Sequence, residues 1–553
     1  MSGPGPDGFN LATVFGAVAR AVPDQEVLIW RDRRITYAEM DARIDGIARF
    51  FVDRGLGVRA ERSELANHES GQDHAGIYLR NGNEYLEAML GAFRARVGAF
   101  NVNYRYVEEE LVYLLGDAGT KALVFHSEFA PVVAAVRDQL PELSVLVQVP
   151  DESGHDLLPG AVWYDDALAT PEPAGGMPTP SGEDLYLLYT GGTTGMPKGV
   201  LWKHHDIYVS TMGGTPFGET EPYPSYDAIA DYARNANGGL AMLMVPPFMH
   251  GAAQWSGFHG ITSGGKIVIP DDVHSLDAVN VLELAARERV LNIVTVGDAI
   301  AKPIIEEVEQ GSYDLSGLVS FGNGGAALTP SVRDRIFEAL PHVMVLDSAG
   351  SSESGLQMSQ MTMKGLEEEA MVFTPRPDTW VLDDLLTRQL EAGESGGWLA
   401  RRGFVPLGYL GDPEKSARTF PLVDGLRWSV PGDRASILDD GRIRLLGRDS
   451  VTINSGGEKI FAEEVERAVA AHRGVRDVVV AGRPSERWGN EVVAIVQLED
   501  DAEVTDEELL AEAGRHIARY KLPKAIVRVP AVQRSPSGKA DYRWAKSQAV
   551  PSA

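Results

Sequence analysis

The chain has 553 residues, 44% of them apolar, and its 51 Lys and Arg against 79 Asp and Glu leave a formal net charge of −28. At about 100–200 residues per domain this is a multidomain globular protein with several cores, and so negative a charge argues against a nucleic-acid partner and opposes an anionic lipid surface. The chain contains no cysteine, which excludes disulfides, thiolate metal centres and a thiol nucleophile.

The opening MSGPGPDGFNLATVFGAV has no basic stretch ahead of an apolar run, and no uninterrupted apolar segment reaches the ~18 residues needed to span a bilayer. A soluble cytoplasmic protein without a transmembrane segment is expected, with peripheral membrane contact left open. In chain order, the spacing of Met40, Ile44, Ile47 and Phe51 predicts an amphipathic helix, and residues 75–79 (AGIYL) a strand leading into a helix over 85–93. Residues 169–184 hold four prolines and three glycines and read as a linker between two halves of a large N-terminal region. Residues 291–296, 318–321 and 343–346 read as buried strands. Between the last two, Thr329 as N-cap, Pro330 at the first helical position and Val332, Ile336 and Leu340 on one face predict a helix.

From 383 to 447 short strands alternate with glycine turns, which predicts a small β-rich unit. Beyond it, Phe461, Val465 and Val469 share a helix face, residues 475–480 and 492–498 read as strands, and a helix is expected near 507–517. The fold class is therefore α/β: a large N-terminal domain of α/β sheet subdomains plus a β-rich unit over 1–447, then an α+β C-terminal domain over 448–553.

One stretch carries most of the chemistry. The apolar run Leu185 to Leu188 leads into Thr190-Gly191-Gly192-Thr193-Thr194-Gly195, closed by Pro197-Lys198-Gly199. A strand entering glycines and threonines offers backbone N–H groups, hydroxyls and one ammonium to a polyphosphate. Proline before Lys198 and glycine after it set this loop apart from a Walker P-loop.

With that loop come, in order, Asn103-Tyr-Arg-Tyr with Glu110-Leu111, Pro246-Pro-Phe-Met-His-Gly251, Gly324-Gly-Ala-Ala327, Gly350-Ser-Ser-Glu353, Gly432-Asp433, Gly447-Arg-Asp449, Gly456-Gly-Glu-Lys459 and Pro536-Ser-Gly-Lys539. Nine motifs in register resemble the adenylate-forming superfamily: AMP-forming acyl-CoA synthetases, adenylation domains and luciferase. The wording of YTGGTTGMPKGV, GSSE and RSPSGKADYRWA is most similar to actinobacterial steroid side-chain or long-chain fatty acid CoA ligases.

The resemblance implies an ATP-dependent acid–CoA ligase. It would join a carboxylic acid to the α-phosphorus of ATP, release pyrophosphate, and pass the acyl group to coenzyme A, the sulfur nucleophile being imported. It further implies that Thr190, Gly191, Gly192, Thr193, Thr194, Gly195 and Lys198 hold the β- and γ-phosphates. Glu353, with Thr190, would ligate Mg²⁺. Gly324, Gly325, Ala326, Asp347, Gly350, Ser351 and Ser352 would border the nucleotide, with Asp433 on the ribose hydroxyls and Arg448 on ribose or phosphate. Lys539, on a mobile C-terminal domain, would bridge the carboxylate and α-phosphate as negative charge spreads. Asp449 would act as hinge, Gly456, Gly457 and Lys459 would line a pantetheine passage with Trp488, and His250, Trp255, Gly322 and Ala327 would border the acyl group. Ala349 departs from the family, which often has an adenine-stacking aromatic there. The alternatives are an acyl-AMP ligase loading a separate carrier protein and a non-catalytic acyl or adenylate binder. The oligomeric state, a homodimer included, stays open.

Overall fold

The computed structural model describes residues 8–550 except 191–195, 217, 327, 367–368, 370, 424, 456–457, 486–488, 501 and 535–538. Among them, strands form sheets of eight, fifteen and five.

In the eight-stranded sheet, His74–Tyr78 lies parallel to both Gly98–Asn101 and Thr120–His126, and the helices Asn83–Arg94 and Glu108–Asp117 make the crossovers. All five residues of HAGIY are buried, as a parallel strand covered by helices on both faces requires. The helix Tyr37–Asp53 starts on a capping box in which Thr36 and Glu39 bond each other's backbone N–H, and it buries Met40, Ile44, Ile47 and Phe51 as the spacing predicts. Leu185–Thr190 joins this sheet beside Gly98–Asn101 and turns back antiparallel onto Lys198–Lys203. Residues 169–184 therefore run from the helix Tyr164–Leu168 to another strand of one sheet. They do not separate two halves of the N-terminal region; their prolines and glycines mark a surface crossing.

The fifteen-stranded sheet has a parallel centre: Ala241–Met244, Lys266–Ile269, Asn292–Thr295, Ser320–Gly324 and Met344–Ser351. The helix Pro330–Ala339 covers one face; Thr329 Oγ1 accepts the Val332 N–H at 3.5 Å, and Ile336 packs with Ile293, Phe321 and Val345. Each such apolar side chain contributes about 1.5–3 kcal/mol on full burial. From Gly355–Thr362 onward the pairing becomes antiparallel and continues through Val372–Pro375 into Ile443–Arg448. The β-rich unit is thus an extension of this sheet.

The five-stranded sheet is built on the antiparallel pair Val475–Ser485 and Gly489–Leu498, with Ala525–Arg528 parallel to the latter. Helices Ala462–Ala470 and Asp506–His516 cover it through Val465, Val469, Leu509 and Ala513. Lys302, on the helix Asp298–Gln310, forms an ion pair with Glu499 of this C-terminal unit. Among the described residues no helix is long and apolar enough to cross a membrane.

Candidate active site

The threonine–glycine loop is fixed at its stems, where Thr190 faces Lys198 across the hairpin. Gly191, Gly192, Thr193, Thr194 and Gly195 lie outside the described residues. Asn101, at the carboxyl end of its strand, accepts the Tyr189 N–H at 2.9 Å and donates to the carbonyls of Tyr189 at 2.9 Å and Met249 at 2.7 Å. One buried amide so ties the start of the loop to the segment before His250. The Tyr189 hydroxyl donates to Asp117 at 2.8 Å. Lys198 pairs with Asp412 at 3.4 Å; burial works to lower its ammonium, but Tyr113 and Asp412 outweigh this and hold it above the ordinary lysine value.

Glu353 sits at the turn between Met344–Ser351 and Gly355–Thr362. A Cβ on Gly350 would lie 2.1 Å from the Gly355 carbonyl oxygen, so this glycine lets the hairpin close. The Ser351 and Ser354 hydroxyls are 2.9 Å apart, and the Ser352 carbonyl accepts the Trp202 indole N–H at 2.8 Å. The Tyr409 hydroxyl donates to Glu353 Oε1 at 2.8 Å. Below the turn Arg401, fully buried, donates to the carbonyls of Ser354 at 2.7 Å and Leu356 at 2.9 Å, and to Asp378 at 2.8 Å. Tyr409→Phe should leave Glu353 without its fixed donor. A rise in KM for magnesium–ATP of about tenfold at unchanged thermal midpoint is expected, from a lost hydrogen bond to a charged group worth about 1.5 kcal/mol; an unchanged KM would remove Tyr409 from the site.

Asp433 and Arg448 face each other on adjacent strands, 3.4 Å apart, with side chains 15% and 39% exposed. Solvent reaches both side chains. Burial pushes the Asp433 carboxyl up, against the pull of Arg448, and Asp433 in turn raises the Arg448 guanidinium. Nearby, Asn323 donates to Asp347 at 2.8 Å and to the Ala326 carbonyl at 3.1 Å while accepting the Gly297 N–H at 2.7 Å. Asp347, its carboxyl raised by burial, therefore serves to tether two strand ends. Gly325 has φ +80°, a conformation that favours glycine, whereas a Cβ on Gly324 would meet only an ordinary contact at 3.6 Å. A Cβ on Gly322 would lie 3.1 Å from the Asn292 amide, so the space this glycine leaves is taken by Asn292. Ala349 packs beside the cluster of Met358 and Phe373; Ala327 lies outside the described residues.

Lys539, on the C-terminal unit, lies within electrostatic reach of Arg448, Glu353 and Asp433. It keeps a solvent-exposed side, yet protein crowds its ammonium and, with the charge of Arg448, holds it below the ordinary lysine value, against the pull of Glu353 and Asp433. His250, the N-cap of the helix Gly251–Thr262, is lowered to about 4 by burial and then by the charges of Lys539 and Arg105. Its imidazole is neutral at pH 7, and among the described residues its buried Nε2 has no hydrogen-bond partner. Trp255 stands one turn further along the same helix. Gly456, Gly457, Trp488 and the side chain of Lys459 lie outside what the structure describes. Asp449 follows Arg448 and accepts a hydrogen bond from Arg434 Nε at 3.0 Å.

The AMP-binding enzyme family matches residues 15–410, and the AMP-binding enzyme C-terminal domain matches residues 464–539. The chain belongs to the AMP-binding enzymes. It is 53% identical to the medium-chain acyl-CoA ligase Mig of Mycobacterium avium over 98% of both chains. It is 37% identical to the 3-oxocholest-4-en-26-oate–CoA ligase of Rhodococcus rhodochrous, over 98% of this chain and 96% of that one. Among solved structures, the anthranilate CoA ligase AuaEII with anthranoyl-AMP superposes with a TM-score of 0.80 at 20% identity, over 98% of each chain; this likeness shows the fold.

For an AMP-binding enzyme the donor set at Glu353 fits Mg²⁺. This ion needs one or two protein carboxylates when phosphates supply the other oxygens, and Tyr409 engages only Oε1 of Glu353. No group of three or more ligating side chains forms an all-protein metal cage among the described residues. Several AMP-binding enzyme residues at this site, Asn101, Trp202, Asn323, Arg401 and Tyr409, escape sequence reasoning. Only the placing of Asn101 and Asn323 at the ends of apolar strands signals them, because a polar group there must find a partner.

Proposed function

We propose that this chain is an ATP-dependent acid–CoA ligase acting through an acyl adenylate, and that its units divide near 447/448. What supports the reading is the Asp433–Arg448 pair at 3.4 Å, with Lys539 of the C-terminal unit within electrostatic reach of that pair, of Glu353 and of His250. A carboxylate attacking a phosphate must bring two anions together, and preorganised cations facing that point supply the stabilisation. In this reading Thr190, Lys198 and the threonine–glycine loop hold the phosphates, Asp433 accepts from the ribose hydroxyls, and Arg448 steadies ribose or phosphate. Mg²⁺ on Glu353 and Thr190 would offset phosphate charge. His250 and Trp255 border the carboxyl end of the acid. Withdrawal of Lys539 by rotation about Asp449 then admits coenzyme A along Gly456, Gly457 and Lys459.

The acids best supported are medium- and long-chain fatty acids and steroid side-chain acids, by the relatives' names and the motif wording. A panel of these and aryl acids, read as pyrophosphate release with CoA, with an acyl carrier protein and with neither, tests it. CoA-dependent thioester from a fatty or steroid acid is the expected result; thioester on the carrier alone would move the chain to the carrier-loading class.

The pH dependence carries its own sign. Lys539 acts protonated, and its ammonium titrates below the ordinary lysine value of 10.5, so adenylation should fall as pH rises toward that value. Bound ATP places negative charge beside the ammonium and favours the protonated form. The alkaline limb of kcat/KM, which reports free enzyme, should therefore lie at lower pH than that of kcat, which reports the complex. The reverse order would contradict the placement of Lys539.

A further inference from the structure

The helix Asp298–Gln310 meets one end of the C-terminal sheet. There Val475 pairs with Leu498 and Asp477 with Gln497, so Asp477 and Glu499 sit at the same end of the antiparallel pair Val475–Ser485 and Gly489–Leu498. Asp298 and Lys302 are four residues apart and share a helix face. Lys302 forms its ion pair with Glu499, at side-chain exposures of 15% and 31%. Burial pushes the Asp298 carboxyl up, against the Thr329 N–H that it accepts at 2.8 Å; Asp477 adds to the rise and the charge of Arg534 opposes it. The helix therefore meets the C-terminal unit acid to base and base to acid.

The same strand end carries the turn of Lys539. Gln497 Oε1 accepts the Val532 N–H at 3.1 Å, and Asp477 receives the Arg534 guanidinium on both oxygens, Nε at 2.7 Å. Such a two-pronged pair fixes orientation as well as distance. Arg534 then bridges antiparallel to Ala540, the residue after Lys539. On the other side, Gly297, just before Asp298, donates its N–H to Asn323 at 2.7 Å, and Asn323 also holds Asp347. Named contacts thus run from the strand ends that hold Asp347 to the turn that bears Lys539.

From this geometry we infer that Asp298 and Lys302 are positioning residues for adenylation. Through Arg534 and Glu499 they hold the C-terminal strand end where Lys539 reaches Glu353, Asp433 and Arg448. They act through Lys539 rather than on the reacting atoms. An ammonium carried on a separate unit is effective only while that unit is held in register, and misplacement of a positioned group by about 1 Å is costly in rate. Opposed charges across an interface favour one arrangement, and like charges exclude it. This inference rests on the acid–CoA ligase reading and adds the contact that sets its first half-reaction.

The test compares the wild type, Lys302→Glu, Glu499→Lys, the double variant with both changes, and Lys302→Arg. Two assays are read: carboxylate-dependent ATP–pyrophosphate exchange, and thioester formation from supplied acyl adenylate and CoA. Either single reversal sets like charges face to face and should lower kcat for exchange about tenfold, with KM for ATP and acid changed by less than about threefold. Thioester formation should stay near the wild-type rate, since in the proposed reading Lys539 has then withdrawn. The double variant restores opposite charges, while Arg476 keeps Asp500 at 3.5 Å, and should regain most of the exchange. Lys302→Arg should retain it. Exchange by Lys302→Glu within about twofold of wild type, or a double variant no better than the single ones, overturns the inference and leaves the ligase reading standing. A loss that falls equally on both assays, with a lowered thermal midpoint, assigns the pair to stability alone and also overturns it. Absence of exchange by the wild type with every acid of the panel overturns both.

Discussion

Lys539→Ala should lower carboxylate-dependent ATP–pyrophosphate exchange by a factor of about 10²–10³, the scale of removing one preorganised donor from a developing negative charge. Lys539 belongs to the C-terminal unit yet reaches Glu353, Asp433 and Arg448 electrostatically, which in the proposed reading puts it where the two anions meet. Its removal leaves the nucleotide's other contacts in place, and ATP affinity should change far less than the exchange rate. The second half-reaction provides an internal control, since in this reading Lys539 has then withdrawn. Thioester formation from a supplied acyl adenylate and CoA should persist near the wild-type rate. Exchange within a few-fold of wild type would refute the assigned role.

The largest expected loss of stability comes from Arg401→Met. The Arg401 side chain is fully buried, bonds Asp378, and carries the carbonyls of Ser354 and Leu356. Breaking a buried ion pair from one side costs about 3–5 kcal/mol, because the partner and the freed acceptors stay unpaired. The urea midpoint should fall accordingly. The hairpin that presents Glu353 rests on those carbonyls, and small displacements of a positioned group are costly in rate. Adenylation by the folded variant should therefore drop tenfold or more with a raised KM for magnesium–ATP. Arg401→Lys should rescue little, since a point ammonium cannot reproduce the planar fork that reaches Asp378 and two carbonyls at once. A variant of wild-type midpoint and KM would show that the turn is held by other contacts.

Legibility in the sequence followed the range of the interactions involved. The helix Pro330–Ala339 was readable because its cap, its proline and its apolar stripe are neighbours in the chain. The threonine–glycine loop stood out for the same reason: the strand Leu185–Thr190 delivers it at a sheet's end. The apolar run 343–346 showed only the first part of Met344–Ser351; the continuation Asp347-Ser-Ala-Gly-Ser carries little apolar pattern and becomes a strand through its partner Gly355–Thr362. The continuity of the β-rich unit with the second sheet depends on pairings such as Phe373 with Ile443, beyond any local signal. So do the positioning residues: Trp202 meets the Ser352 carbonyl 150 residues away, and Tyr409 meets Glu353 across 56. Proline and glycine misled at 169–184, where a surface crossing and a domain boundary have the same composition.

The most direct test of the ligase reading is a chemically quenched single turnover of the full chain with ATP and a medium-chain acid, first without and then with CoA. The predicted course is acyl-AMP and pyrophosphate in equal amounts before CoA is added, then conversion of that acyl-AMP to acyl-CoA with release of AMP. Formation of ADP and phosphate, or of thioester with no adenylate at any time, would contradict it.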